Sequence, residues 1–207
     1  METFLIVASL VAHQLEVIIV KSYGEKKKYG GEFFNARYVD RVVLNGKTVY
    51  STTASPTKVF REGTCDLINH ALTTAVKSGT AKALSDLPFQ VCAKTGTCGN
   101  ASGNTDAYTV CYTSQNVVGI WLGNADNRLI DNFMTGAYCA KIANGILKNL
   151  YQSNRPCDLK ISNDCIEVNL CKLAYEHGEH LLTADNTPER FCLKSLFLKG
   201  CEPTKKS

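Results

Sequence analysis

The strongest constraint in this sequence lies in residues 89–124, where three strand-like runs follow one another with connections too short for a crossover. The runs 89–97, 106–113 and 117–124 carry Phe, Val, Thr, Tyr and Trp, residues that suit a pleated, half-buried surface. Only Ser114-Gln115-Asn116 separates the second run from the third. Parallel neighbours need a dozen or more residues to cross over, so this pair is predicted to be antiparallel. A second hairpin stands upstream as 38–44, the turn Asn45-Gly46, and 47–50; Asn-Gly supplies the two positive φ angles of a tight primed turn. Helical spacing flanks the strands. Leu67, Ile68, Ala71, Leu72, Ala75 and Val76 form one apolar stripe over 64–78, with Thr64 placed to cap its start and Gly79 to end it. Cys139, Ile142, Ala143, Ile146, Leu147 and Leu150 predict a second helix over 136–151. The tail, 157–203, reads as irregular with short strand-like pieces such as Ile166–Leu170. Helix, three antiparallel strands, helix is an α+β order, an antiparallel sheet packed against helices, with no βαβ alternation.

Composition narrows the function classes. A chain of 207 residues is long enough to bury a core, and 44% hydrophobic against 20% charged residues excludes bulk disorder. The 23 Lys+Arg and 19 Asp+Glu leave a net charge of +4, too small and too dispersed for a nucleic-acid partner. The 10 cysteines include no Cys-x-x-Cys. Cys171, His177, His180 and Cys192 lack the paired spacing of a zinc site, so no metal or other cofactor is expected. The alternative of five disulfides belongs to a chain that matures outside the cytoplasm. Cys92 and Cys111, inside strand-like runs, point instead to mostly free or buried thiols. Residues 3–20 are strongly apolar, but His13, Gln14 and Glu16 interrupt them and no basic residue precedes them. A buried or half-buried helix is expected there rather than a signal peptide or a membrane span. Glu25-Lys26-Lys27-Lys28 between glycines reads as a solvated loop.

The tetrapeptide Lys94-Thr95-Gly96-Thr97 closes the first of the three strands. It offers a fixed positive charge, two hydroxyls, and a position without a Cβ where a ligand backbone can lie against the strand. A free strand edge can take an extended peptide as one more strand. Together with Ser-x-x-Lys and a Ser-Asp-Asn type motif, this tetrapeptide belongs to a known acyl-transfer constellation.

The stretch VCAKTGTCGNASGNTDAYTVCYTSQNVVGIWLGNADN, from Val91, resembles the transpeptidase domain of penicillin-binding proteins. Asp106, Ala107, Tyr108, Tyr112, Thr113, Val117, Val118, Gly119, Trp121, Gly123 and Asp126 match that pattern in order. Ser78-Gly79-Thr80-Ala81 is similar to the family's segment before this strand. Leu196-Phe197-Leu198-Lys199-Gly200-Cys201-Glu202-Pro203 is similar to the ending of class A members. The resemblance runs from Asn35 to Pro203 and implies part of the penicillin-binding protein/β-lactamase-like fold. It divides the chain into a poorly matched segment 1–34, the C-terminal half of a transpeptidase domain at 35–156, and an extension at 157–207.

The resemblance also implies roles. Lys94, Thr95, Gly96 and Thr97 would line one wall of the cleft. Thr95 and Thr97 would hold the carboxylate of a D-Ala-D-Ala stem peptide or a β-lactam. The Thr97 backbone N–H would serve as an oxyanion-hole donor, and Lys94 would set the charge of the cleft. The reaction implied is acylation of a serine, then transfer to an amine of a neighbouring peptidoglycan strand, on the extracytoplasmic face of a bacterial membrane.

That chemistry needs a nucleophile and a group to take its proton. The family draws both from Ser-x-x-Lys at a helix start, well before the Lys-Thr-Gly strand. With 12 serines and 17 lysines in 207 residues, chance supplies about one such string, and one exists: Ser55-Pro56-Thr57-Lys58. Ser55 is therefore not assigned the role. Ser102-Gly103-Asn104 and Ser114-Gln115-Asn116 follow the tetrapeptide and read as turns. Ala93 and Cys98 also depart from the family pattern. The expectation is a transpeptidase-like fragment without its nucleophile. Strand 117–124 would keep an unpaired edge, and the partner would be the missing N-terminal half or another subunit. The alternative is a non-catalytic peptide- or partner-binding module using the same wall. Trp121 is expected in the core and His70 at the surface of its helix.

Overall fold

A computed structural model describes residues 31–33, 39–53, 55–184 and 186–206. The apolar run 3–20 and the basic loop at 25–28 lie outside the described residues. Two short strands come first in contact, β1 (Glu32–Phe33) with β4 (Thr57–Lys58), around the hairpin of β2 (Arg41–Leu44) and β3 (Lys47–Ser51). Its turn has Asn45 at φ 47 and Gly46 at φ 75, the left-handed pair that Asn-Gly was expected to supply.

Helix α1 (Glu62–Ser78) then leads through a single 3₁₀ turn, Lys82–Leu84, into the sheet of β5 (Cys92–Asn100), β6 (Gly103–Tyr112) and β7 (Val117–Gly123). The order is β5-β6-β7, antiparallel throughout. Helix α2 (Gly136–Leu150) follows. The tail forms β8 (Cys165–Cys171), the short helix α3 (Lys172–Glu176) and β9 (Cys192–Leu198), with β8 and β9 paired antiparallel. Among the described residues no helix is long and apolar enough to cross a membrane.

Side-chain alternation sorts the helices to opposite faces of the sheet. Ala93, Cys111 and Val118 form one rung and pack with Ala140, Ala143 and Leu147 of α2. Cys92 and Tyr112, one residue along, face α1: the Cys92 thiol donates to the Asn69 carbonyl at 3.4 Å, and the Tyr112 hydroxyl to Asn69 Oδ1 at 2.7 Å. Ala81, Leu84, Leu87, Val91 and Tyr151 close the core at one end of the sheet, where Phe89 meets Tyr151 edge-on at 5.0 Å.

The helices hold two corrections. Helix α1 starts at Glu62, behind Arg61, and Thr64 does not cap it. Its buried face holds Gly63, Cys65, Asp66, Asn69 and Val76, whereas Ile68 of the apolar stripe is 48% exposed. The polar side is inside because the tail supplies partners for it. Ser162 donates to Asp66 Oδ2 from its backbone N–H at 2.8 Å and from its hydroxyl at 2.5 Å. All ten cysteines are thiols; burial raises the pKa of Cys92 and pushes that of Cys111 up to about 12.

Candidate functional site on the free edge of β5

Strand β5 pairs only with β6, so its other side is an edge among the described residues. The parity of the ladder determines which groups that edge presents. At the β6–β7 turn the Thr113 N–H donates to the Asn116 carbonyl at 2.9 Å. From that closing bond the odd-numbered residues of β6 bond to β7 and the even-numbered ones to β5. Gly96 lies opposite Tyr108, and Lys94 opposite Val110. The backbone N–H and C=O groups of Ala93, Thr95 and Thr97 therefore point out from the sheet. The Lys94 ammonium takes up one of them, donating to the Thr95 carbonyl at 2.7 Å.

The two threonine side chains lie on the α2 side. Thr95 Oγ1 is 2.5 Å from Thr80 Oγ1, at the exit of α1. Thr97 Oγ1 accepts the Gly136 N–H, the first of α2, at 3.3 Å. Beneath them Thr109, fully buried, donates to the Gly136 carbonyl at 2.7 Å. A Cβ on Gly136 would meet Thr95 Cβ at 2.8 Å and the Gly96 carbonyl at 2.9 Å, so the lack of a side chain lets α2 begin directly against the strand. The positive end of the α2 dipole and the Lys94 ammonium thus flank the same hydroxyl-bearing edge, an arrangement that favours an anion.

Gly96 also has a packing reason to lack a side chain. The Tyr108 ring occupies the place of its Cβ. The Tyr108 hydroxyl lies 2.9 Å from Cys98 Sγ, and that hydrogen bond, with burial and nearby negative charge, raises the tyrosine pKa. Cys98 is exposed.

Several residues of the family pattern hold the sheet rather than the edge. Trp121 is 37% exposed, not in the core, and its indole N–H donates to Asp106 Oδ1 at 3.0 Å. Gly123 leaves room for that indole, since a Cβ there would lie 2.5 Å from Trp121 Cζ2. Thr113 Oγ1 and the Tyr151 hydroxyl are 2.7 Å apart, and Tyr151 donates to Asn116 Oδ1 at 2.6 Å, fastening the β6–β7 turn to the end of α2. Thr80 and Gly136 are the two edge residues that the sequence reading did not single out as contacts. Thr80 appeared only inside a similar tetrapeptide, and Gly136 only as the start of a helix.

Ser55 is exposed and lies two residues before β4, not at a helix start, and Lys58 lies 4.0 Å from Glu62. Ser102 and Ser114 stand in turns, the latter donating to the Cys157 carbonyl at 2.6 Å. His70 is half-buried on α1. No group of three or more potential metal-ligating side chains occurs among the described residues.

No protein-family model matches the chain, and no curated protein does. Solved structures do. The crystal structure of penicillin-binding protein 1A from Haemophilus influenzae superposes with a TM-score of 0.69 at 18% identity, over 86% of this chain and 31% of that one. The D,D-transpeptidase domain of a peptidoglycan glycosyltransferase from Eggerthella lenta gives 0.47 at 25% identity, over 59% and 28%. The penicillin-binding protein PonA1 from Mycobacterium tuberculosis gives 0.46 at 22% identity, over 63% and 38%. The chain thus spans about a third of the length of the solved proteins it matches. Its antiparallel sheet between two helices is part of the fold of a penicillin-binding transpeptidase domain.

Proposed function

We propose that this chain is a penicillin-binding, D,D-transpeptidase-like protein and forms one wall of an acyl-transfer cleft. Its β5 edge receives the terminal carboxylate of a D-Ala-D-Ala stem peptide, or that of a β-lactam. Lys94 and the start of α2 supply the positive potential, and the Thr95 and Thr97 hydroxyls donate to the carboxylate. The outward Thr97 N–H stabilises the oxyanion that forms when a serine attacks the peptide carbonyl. The reading is supported above all by the outward parity of Thr95 and Thr97 beside the first N–H of α2.

The serine comes from elsewhere in this reading, from a complementary segment or subunit. Among the described residues no serine begins a helix with a lysine one turn on. Acylation of that serine would expel the terminal D-alanine, and an amine of a neighbouring strand would then take the acyl group. The place of such a reaction is the extracytoplasmic face of a bacterial membrane.

The test uses a stem peptide ending in D-Ala-D-Ala and the same peptide with its terminus amidated. Reversible binding of the acid only is expected, weakened at least ten-fold by T95V/T97V and by K94A. Labelled penicillin should leave no denaturation-resistant adduct on the chain alone. It should leave one on a co-expressed segment carrying Ser-x-x-Lys. Equal binding of acid and amide would sink the carboxylate role, and an adduct on the chain alone would sink the external nucleophile.

A second reading, a non-catalytic module that takes extended peptides by strand addition, draws on the same outward N–H and C=O groups of β5, of which the Lys94 ammonium would have to release the Thr95 carbonyl. It predicts binding that ignores the D-Ala-D-Ala terminus and tracks peptide length.

A further inference from the structure

A thiol pair stands apart from this edge, in the C-terminal hairpin. Cys171, the last residue of β8, lies directly opposite Cys192, the first of β9. Both are half-buried thiols. Two independent observations give the type of pair. The Cys171 N–H donates away from β9, to the Leu181 carbonyl at 2.8 Å, and the Asn169 carbonyl accepts from Thr183 at 3.0 Å on that same outer side. At the other end of the hairpin the Lys199 N–H donates to the Asp164 carbonyl at 2.9 Å, so 164 and 199 form a hydrogen-bonded pair. Counting along the ladder from either end makes Cys171 and Cys192 a non-hydrogen-bonded pair.

In such pairs the Cα atoms are about 4.5 Å apart and the side chains lean together. That separation falls inside the range a disulfide spans, at its short end. The Cys192 thiol is held only by long contacts to the Thr187 and Pro188 carbonyls, 3.7 and 3.6 Å away. Contacts that long do not fix the Cys192 sulfur away from Cys171.

We propose that Cys171 and Cys192 are a redox site, oxidised to a cross-strand disulfide by a small-molecule disulfide such as glutathione disulfide. One thiolate of the pair attacks a sulfur of the oxidant, forming a mixed disulfide and releasing one glutathione thiolate. The second cysteine, as thiolate, attacks the protein sulfur of that mixed disulfide and releases the other. Two electrons pass from the pair to the oxidant, and the two protons end on the two glutathione thiols. The new bond closes the segment 172–191, which holds α3 and the 3₁₀ turn Glu189–Phe191. Both cysteines are partly exposed, so a small thiol can attack the bond and reduce it again. The site is thus a reversible clamp rather than a permanent staple.

The test incubates the full folded chain across glutathione/glutathione disulfide ratios, quenches with acid, alkylates after unfolding and maps the peptides by mass spectrometry. The expected result is a peptide pair joined through Cys171 and Cys192 at oxidising ratios, while Cys92, Cys111 and Cys139 stay alkylatable. Glutathione without denaturant should return it to two thiols. In C192S, Cys171 should stop at the mixed disulfide. In C157S/C201S, which removes two exposed competitors, the pair should form as before. Separate glutathione adducts on Cys171 and Cys192 at every ratio, or their capture by other cysteines, would overturn the proposal.

Discussion

A side chain at position 96 would have to enter volume already filled by the Tyr108 ring. The ring lies over the glycine directly opposite it in the ladder, an aromatic covering a strand glycine. Gly96→Ala should therefore lower stability by about 1–3 kcal/mol through overpacking, read from urea unfolding. Combined with Tyr108→Ala it should cost less than the two changes summed, because they share one contact. Thr109→Val keeps the shape but leaves the Gly136 carbonyl without its buried donor, and should cost about 1–3 kcal/mol. Cys111 tests the electrostatics of the interior. Its pKa, pushed up to about 12 by burial, keeps the thiol neutral well above physiological pH. Iodoacetamide at pH 8 should label exposed Cys98, Cys157 and Cys201 and spare Cys111 in the folded chain; mass mapping of the labelled sites checks this. At this scale the strand that carries Lys94–Thr97 was legible, but the packing over its glycine was not. Tyr108 stands within the same matched stretch, yet nothing in the letters says that its ring folds back over position 96.

The pairing of neighbouring strands was read more faithfully than the buried face of α1, for a physical reason. The β6–β7 hairpin is local, so its alternation and its short turn carry nearly all the information that pairs them. Helix α1 depends on distant partners. Its apolar stripe was the natural choice for the inside, yet Asp66 and Asn69 are buried because Ser162 and Tyr112 satisfy them. Strand β9 escaped for the same reason, its partner β8 lying well upstream across α3 and the 3₁₀ turn. The strand β7 shows the reverse case, in which sequence foretold a liability. Among the described residues it pairs with β6 alone, and it carries no charge along Val117–Gly123, the features of an unprotected edge. A side chain at Gly119 would meet no atom within 4 Å. Gly119→Lys should accordingly leave the circular dichroism spectrum unchanged and raise the monomer fraction at high concentration, measured by light scattering.

Taken whole, the molecule buries its polar side of α1 and exposes part of the apolar one. Ile68 is 48% exposed, on a chain that covers 31% of the length of the solved protein it superposes on. Ile68→Glu should change the stability of the chain alone by no more than about 0.5 kcal/mol, and should weaken pull-down of a complementary Ser-x-x-Lys segment. An equal effect on both would mean that the stripe serves the chain's own core. The tail is not an ornament on this assembly. The Gly63 N–H donates to Asp164 at 3.4 Å, and Leu198 lies where a Gly63 side chain would be. With Ser162 on Asp66, these contacts bind the start of α1 to the last quarter of the sequence. A shortened version stopping at Arg155, however tidy it looks on paper, would open the helix N-terminus to water and take both Ser162 donors from Asp66. Anyone trimming the protein for crystals should expect a sticky, easily digested product, and should keep the last fifty-odd residues.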